Sequence, residues 1–175
     1  MNNIKTNPIG IDAKIQRLQT SLFSQLNTLW STELDAYGRC YVVEENGERT
    51  VNFYKNPKEY QIISVAERNK FFFIHRSIAK KVDTLNYETN IELIFIVDVA
   101  KLKPQITHRA DVEVQADVEL LLNQFENIFV ESFEVGYENV LRGIKFNQTS
   151  DMQPYHVFKF NLNVRYNMNE ECNCC

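Results

Sequence analysis

Glycine is scarce in this chain, with five in 175 residues, and none stands near another. Gly10, Gly38, Gly47, Gly136 and Gly143 therefore build no phosphate-cradling loop, and neither a G-x-S-x-G elbow nor an H-E-x-x-H pair occurs. Cysteine is equally sparse. Three of the four, Cys172, Cys174 and Cys175, crowd into the last four residues, and Cys40 stands alone. A disulfide framework needs cysteines spread along the fold, and a zinc site usually shows paired C-x-x-C spacing. The "CNCC" ending offers neither, so a reduced, unstructured tail is expected there. Long apolar runs are missing too: "LIFIV" (93–97) and "FFFI" (71–74) fall far short of the roughly 20 residues of a membrane span. The opening "MNNIKTNPIG" lacks a basic-plus-apolar signal pattern, which makes a cytoplasm the expected site of synthesis. Nor is there a surplus of positive charge. Nineteen Lys and Arg against 23 Asp and Glu leave a net charge of −4, which argues against a global electrostatic nucleic-acid binder while permitting a local basic patch.

What is present suits one folded domain with a real core: 44% hydrophobic residues and 12% aromatics. After a polar stretch, residues 1–9, expected to be a flexible arm, Ile11, Ile15, Leu18, Leu22, Leu26 and Leu29 recur at steps of three and four. Phe23 and Trp30 widen the stripe, while Lys14, Arg17, Gln19 and Gln25 fall elsewhere on the wheel. This predicts an amphipathic helix over about 10–31. In "GRCYVVEENGERTVNFY" (38–54), Asn46-Gly47 between β-forming flanks predicts a hairpin. "YQIISV" (60–65) and "KFFFIHR" (70–76) read as strands. "NIELIFIVDVA" (90–100) is apolar on both faces, the mark of a central strand, with Lys101–Pro104 ending it. A second helix is expected over 109–125 with Ala110, Val114, Val118, Leu121, Leu122 and Phe125 buried, and with Asp111 and Glu113 suited to its N-terminal end. Strand structure follows over about 127–146, broken near Gly136 or Gly143, then a polar turn (147–154) and a last strand, "YHVFKFNLNVRY" (155–166). The expected fold is α+β: one mostly antiparallel sheet with two helices packed on one face, spanning 10–166, followed by a flexible cysteine-rich tail at 167–175.

The last strand poses the functional question. His156, Phe158, Phe160, Leu162, Val164 and Tyr166 share the core side, whereas Tyr155, Lys159, Asn161, Asn163 and Arg165 share the other. With Glu92, Ile94 and Ile96 of the central strand, that second side makes a semi-polar face. It is either a subunit interface or the wet side of an antiparallel sheet. "RSIAKK" (76–81) places Arg76, Lys80 and Lys81 in a small basic cluster. It suits a nucleic-acid or acidic partner, or simply a solvated loop. Cys40 with one of His75, His108 or His156 could in principle make a nucleophile pair. Nothing local supports it, since cysteine is often a small buried hydrophobe, and His156 lies on the apolar face. Asp98 is a site candidate or a turn residue.

The order of elements, and above all "YETNIELIFIVDVAKLKP…RADVEVQADVELLLNQF" (87–125) followed by "HVFKFNLNVRY", resembles the tail terminators and tail-completion proteins of tailed bacteriophages and related neck-ring proteins. The resemblance covers roughly residues 10–166 as a pattern, without a diagnostic motif. The "CNCC" tail and the long 66–86 segment depart from it. It implies a non-enzymatic virion protein of the neck or tail, assembled in the bacterial host cytoplasm. Such a subunit forms a homo-oligomeric ring, hexameric or higher, that contacts portal, connector or tail-tube proteins. DNA would pass through the lumen, with non-specific DNA contact an option, and no cofactor or membrane is implied. On this expectation Tyr155, Lys159, Asn161, Asn163 and Arg165 face a neighbouring subunit or the lumen. The alternative is a binding module that uses the open sheet face for a protein or nucleic-acid ligand. An enzyme with an unrecognised site around Cys40, His75 or His156 is a third.

Overall fold

The computed structural model describes residues 1–55, 59–63, 68–106, 110–144 and 155–169. Among these the elements run, in chain order, β1 (Asn2–Asn3), α1 (Ile11–Trp30), β2 (Leu34–Glu45), β3 (Glu48–Lys55), β4 (Glu59–Ile62), β5 (Asn69–Ile74), β6 (Lys80–Lys81), β7 (Asn86–Asp98), α2 (Val99–Leu102), α3 (Ala110–Leu122), β8 (Ile128–Val135), α4 (Tyr137–Val140) and β9 (Tyr155–Asn167). The fold is α+β, with one mixed, mostly antiparallel sheet in the order β4-β3-β2-β5-β7-β9-β8. β1 is added beside β2, and β6 beside β7. The two parallel pairings are β2 with β5 and β1 with β2.

The expected elements appear where the periodicities place them. α1 buries Ile15, Leu18, Leu22, Leu26 and Trp30. Trp30 takes the last core position, which leaves Leu29 half exposed. The predicted hairpin is β2–β3, and Asn46 (φ 52°) and Gly47 (φ 78°) occupy the left-handed conformation that its two-residue turn requires. α3 buries Ala110, Val114, Val118, Leu121 and Leu122, with Phe125 packed partly buried beside them. β7 is an interior strand, paired with β5 on one side and with β9 along thirteen residues on the other.

The helix side of the sheet holds the main core. Trp30, Phe71, Phe95, Phe158 and Phe160 form its centre, with Phe95 and Phe158 stacked at 4.9 Å and Trp30 set edge-on to Phe95 at 6.3 Å. Burying each such side chain stabilises the fold by about 1.5–3 kcal/mol. Trp30 Nε1 also donates to Asp117 Oδ2 (2.8 Å), and Lys103 pairs with the same carboxylate (2.7 Å), which fastens α1 and the end of α2 to α3.

Several expectations are corrected. The arm expected to be flexible is tied down at its start: Asn2 and Asn3 pair in parallel with Ala36 and Tyr37 of β2. The anchor is Gln19, placed by the helical wheel on the polar side yet fully buried. Its Nε2 lies 2.7 Å from Asn2 Oδ1, 2.9 Å from Asn3 O and 3.1 Å from Ala36 O, so satisfying one amide orders the strand around it. The central strand stops at Asp98, before Lys101. Asp98 Oδ1 accepts from Lys101 N (3.2 Å), capping α2, and its carboxylate pairs with the Lys101 ammonium at 3.1 Å. Of the predicted 127–146 stretch, 128–135 is the strand among the described residues, with 145 and 146 outside them; at Gly136 the chain turns into α4. The polar turn at 147–154, Arg109, His108 and the three terminal cysteines lie outside the described residues.

Candidate interaction face

The sheet face turned away from α1 and α3 has two halves. In the upper half Cys40, Val51, Ile63, Phe72, Ile74, Ile94, Ile96 and Val157 are buried with Val140, Leu141 and Ile144. α4 and the turn after it therefore close over half of the face expected to be open. Apolar residues on both sides of β5 and β7 demand such a cover. Tyr155 packs at the rim of this second core, apart from the other four predicted face residues.

The lower half is polar and follows from register. β7 and β9 pair Glu88 with Arg165, Asn90 with Asn163, and Glu92 with Asn161 directly across the ladder, and β8 sets Glu134 opposite Lys159. Cross-strand neighbours on one face meet at once. Arg165 Nε donates to Glu88 Oε2 (3.0 Å), and Asn163 Nδ2 to Glu88 Oε1 and Asn90 Oδ1 (both 3.1 Å). Asn161 Nδ2 lies 2.8 Å from both Ser132 Oγ and Glu134 Oε1. Lys159, only 8% exposed, places its ammonium 3.2 Å from Glu134 and 3.5 Å from Glu92. Arg76 approaches Glu92 from the far side at 3.3 Å.

Thus Lys159, Asn161, Asn163 and Arg165 do lie together, but each spends its hydrogen-bonding capacity inside the chain, and every cation in the stripe faces a carboxylate. The carboxylates respond accordingly. The Asn163 amide, then Arg165, hold the Glu88 carboxyl below its ordinary value. Partial burial would raise that of Glu134, yet hydrogen bonds from Asn161 and Lys159 and the charge of Lys159 outweigh it and bring it down. The basic cluster runs alongside: β6 pairs with β7, setting Lys80 opposite Glu88 and Lys81 opposite Tyr87, both lysines exposed. Between this bank and β8 lies a groove of about 280 Å³ floored by Asn90, Glu92 and Asn161 and walled by Arg76, Ser77, Glu131 and Ser132.

The nucleophile pair is not assembled among the described residues. Cys40 belongs to the second core, and burial pushes its thiol far above the usual range, which suppresses the reactive thiolate. His75 responds to Arg39 and Asp12 on the helix side of the sheet; burial first, then the Arg39 charge, lower its pKa, and its Nε2 lies 2.8 Å from Thr89 Oγ1. His156, also on the helix side, meets Gln115 of α3 at 3.0 Å.

A second cleft, of about 270 Å³, escaped the sequence reasoning. It opens between the N-terminal half of α1 and the overhanging β2–β3–β4 sheet, lined by Lys5, Asp12, Arg39, Tyr41, Tyr54 and Tyr60 among others. Asp12 pairs with both Lys5 (2.7 Å) and Arg39 (3.0 Å); Arg39 stacks over Tyr41 and donates to its hydroxyl at 2.7 Å. Tyr60 meets Tyr41 and Tyr54 edge-on. The signal was the hairpin itself: its two-residue turn sets Tyr41 opposite Asn52, which puts Tyr41 and Tyr54 on one side of the sheet.

No protein-family model matches the chain, and no match was found among curated proteins. Among the described residues no helix is long and apolar enough to cross a membrane, and no cluster of His, Cys, Asp or Glu has metal-binding geometry.

Proposed function

We propose that this protein is a non-enzymatic structural subunit of a virion that assembles with copies of itself into a ring at a phage head–tail junction, as its resemblance to tail terminators and neck rings implies. The observation that supports it best is the sheet's termination. Both outer strands, β4 and β8, lack a further partner among the described residues, and both carry exposed apolar side chains: Tyr60 and Ile62 on one, Phe129 and Val135 on the other. Unpaired strands bearing apolar residues are templates for association, and two unlike ends on one subunit suit a head-to-tail contact that closes into a ring. Portal, connector or tail-tube proteins are the further partners, with non-specific DNA contact in the lumen an option.

The mass of the purified protein by sedimentation equilibrium tests this. Closed oligomers of six or more copies are expected, and a monomer up to millimolar concentration that ignores portal and tail-tube proteins refutes it. The alternative, a binding module working through Lys159 and Arg165, draws less support because Glu134, Glu92 and Glu88 already occupy both cations. Replacing both by glutamate separates the two: ligand loss with the fold intact would favour the module.

A further inference from the structure

The segment between β5 and β7 exposes side chains that a folded chain normally hides. Ile78 is 96% exposed, and Val82 and Leu85 are about half exposed. Lys80 and Lys81 are exposed beside them, beyond ion-pair distance of any carboxylate among the described residues although their charges reach Glu88 and Asp83. Isoleucine this bare, set beside exposed cations, is the composition of an unoccupied contact.

The complementary surface lies on the same molecule, at the other side of the sheet. β8 is an outermost strand that pairs only with β9 among the described residues. Phe129 on it, on the side of the polar stripe with Arg165 over its ring, is 54% exposed. Two residues on, Glu131 is the extra residue of a bulge, exposed and unpaired among the described residues, and Glu138 is exposed on α4 beyond. One bank is thus apolar and basic, the other apolar and acidic. Within one copy β7 and β9 stand between β6 and β8, three strand spacings or roughly 14 Å, although Arg76 and Ser77 face Glu131 across the groove described above.

We infer that residues 76–85 of one copy dock on the β8 edge of a second copy, with Ile78 and Val82 covering Phe129, and Lys80 and Lys81 facing Glu131 and Glu138. This rests on the self-assembly proposed above, keeps β8 as one of its surfaces and takes residues 76–85, in place of β4, as the other. Because the two patches differ, each copy offers one to the neighbour ahead and the other to the neighbour behind, and the contact repeats.

Reversing either patch alone, as K80E/K81E or as E131K/E138K, sets like charges against each other and is expected to weaken association by roughly a hundredfold. Mixing the two reversed proteins restores every contact in an alternating assembly, and combining all four changes in one chain restores it as well. That recovery also shows that each variant is folded. Ile78→Asp should dissociate the wild-type assembly, and added salt should weaken it. Assembly mass by sedimentation is the readout throughout. An oligomer indifferent to both reversals overturns the docking while leaving the ring proposal standing. A dimer that obeys the charge swap sustains the docking and overturns the ring. A persistent monomer whose binding to anionic vesicles or duplex DNA vanishes in K80E/K81E overturns the docking and assigns the patch to that partner.

Discussion

Lys159→Met tests whether the polar stripe belongs to the fold. The substitution keeps an unbranched chain of similar length and removes only the charge. In the wild type the ammonium is nearly buried and touches Glu134 at 3.2 Å and Glu92 at 3.5 Å. Breaking a buried pair by deleting one partner costs about 3–5 kcal/mol, because the other charge is stranded. Here the stranded carboxylates keep some solvent, with side-chain exposures of 37% and 21%, and Glu92 retains Arg76. Solvent screening reduces the expected loss to about 2 kcal/mol. At a urea slope of about 2 kcal/mol per molar, the unfolding midpoint should fall by about 1 M. Adding Glu134→Gln to the Met variant should recover part of the loss, because it removes the orphaned charge. The defect should also shrink in acid. Glu134 has a folded pKa held below its ordinary value of 4.5, so the stability it contributes is whole above that value and drains as pH falls through the folded one. A midpoint unchanged or raised at pH 7 would refute the assignment of Lys159 to an internal ladder, and would return it to the surface as a candidate ligand contact.

Other perturbations probe the core, the N-terminal anchor and the acid side of stability. Phe158→Ala empties a fully buried ring stacked on Phe95 and should cost about 3–5 kcal/mol in urea unfolding. Gly38→Ala drives a new methyl to 2.9 Å from Gln19 Oε1, an atom on a buried amide already held to Asn2, Asn3 and Ala36; a loss of about 1–3 kcal/mol is expected in thermal melting, and Gln19→Ala in the same chain should relieve the clash. His75 should titrate below 6.5 by NMR, since burial and Arg39 both disfavour its cation, and Arg39→Gln should move it back up. Its linkage has a definite sign: the contribution to stability is complete above 6.5 and is lost as pH falls from there towards the folded value.

The helices, the hairpin and the central strand were legible because each announces itself through neighbours a few residues away. Ile15 and Leu22 face inward whatever the rest of the chain does, and Asn46-Gly47 closes its turn locally. What escaped depends on partners distant in sequence. Alternation puts Lys159 on the non-core side of its strand, but only the pairing of β9 with both β7 and β8 brings Glu92 and Glu134 to it and buries it. Gln19 is polar on any helical wheel, and is interior because β1 and Gly38 close around it. α4 is four residues long, too short for a periodic signal, yet it decides that Val157 is core.

The same distinction reorders the functional candidates. Charges in a sequence invite counting, so "YHVFKFNLNVRY" and "RSIAKK" drew attention for their cations. In the fold those cations diverge: Lys159, Arg165 and Arg76 close ion pairs with carboxylates of the same chain, whereas Lys80 and Lys81 act on Glu88 and Asp83 only from beyond ion-pair distance. The informative residue of the cluster is its isoleucine. An isolated cation in water costs the fold nothing, but Ile78 left 96% exposed forgoes about 1.5–3 kcal/mol that burial would supply. Among the described residues no strand or helix covers it. The proposed docking would recover that energy against β8 of a second copy, where Phe129 and Glu131 are exposed.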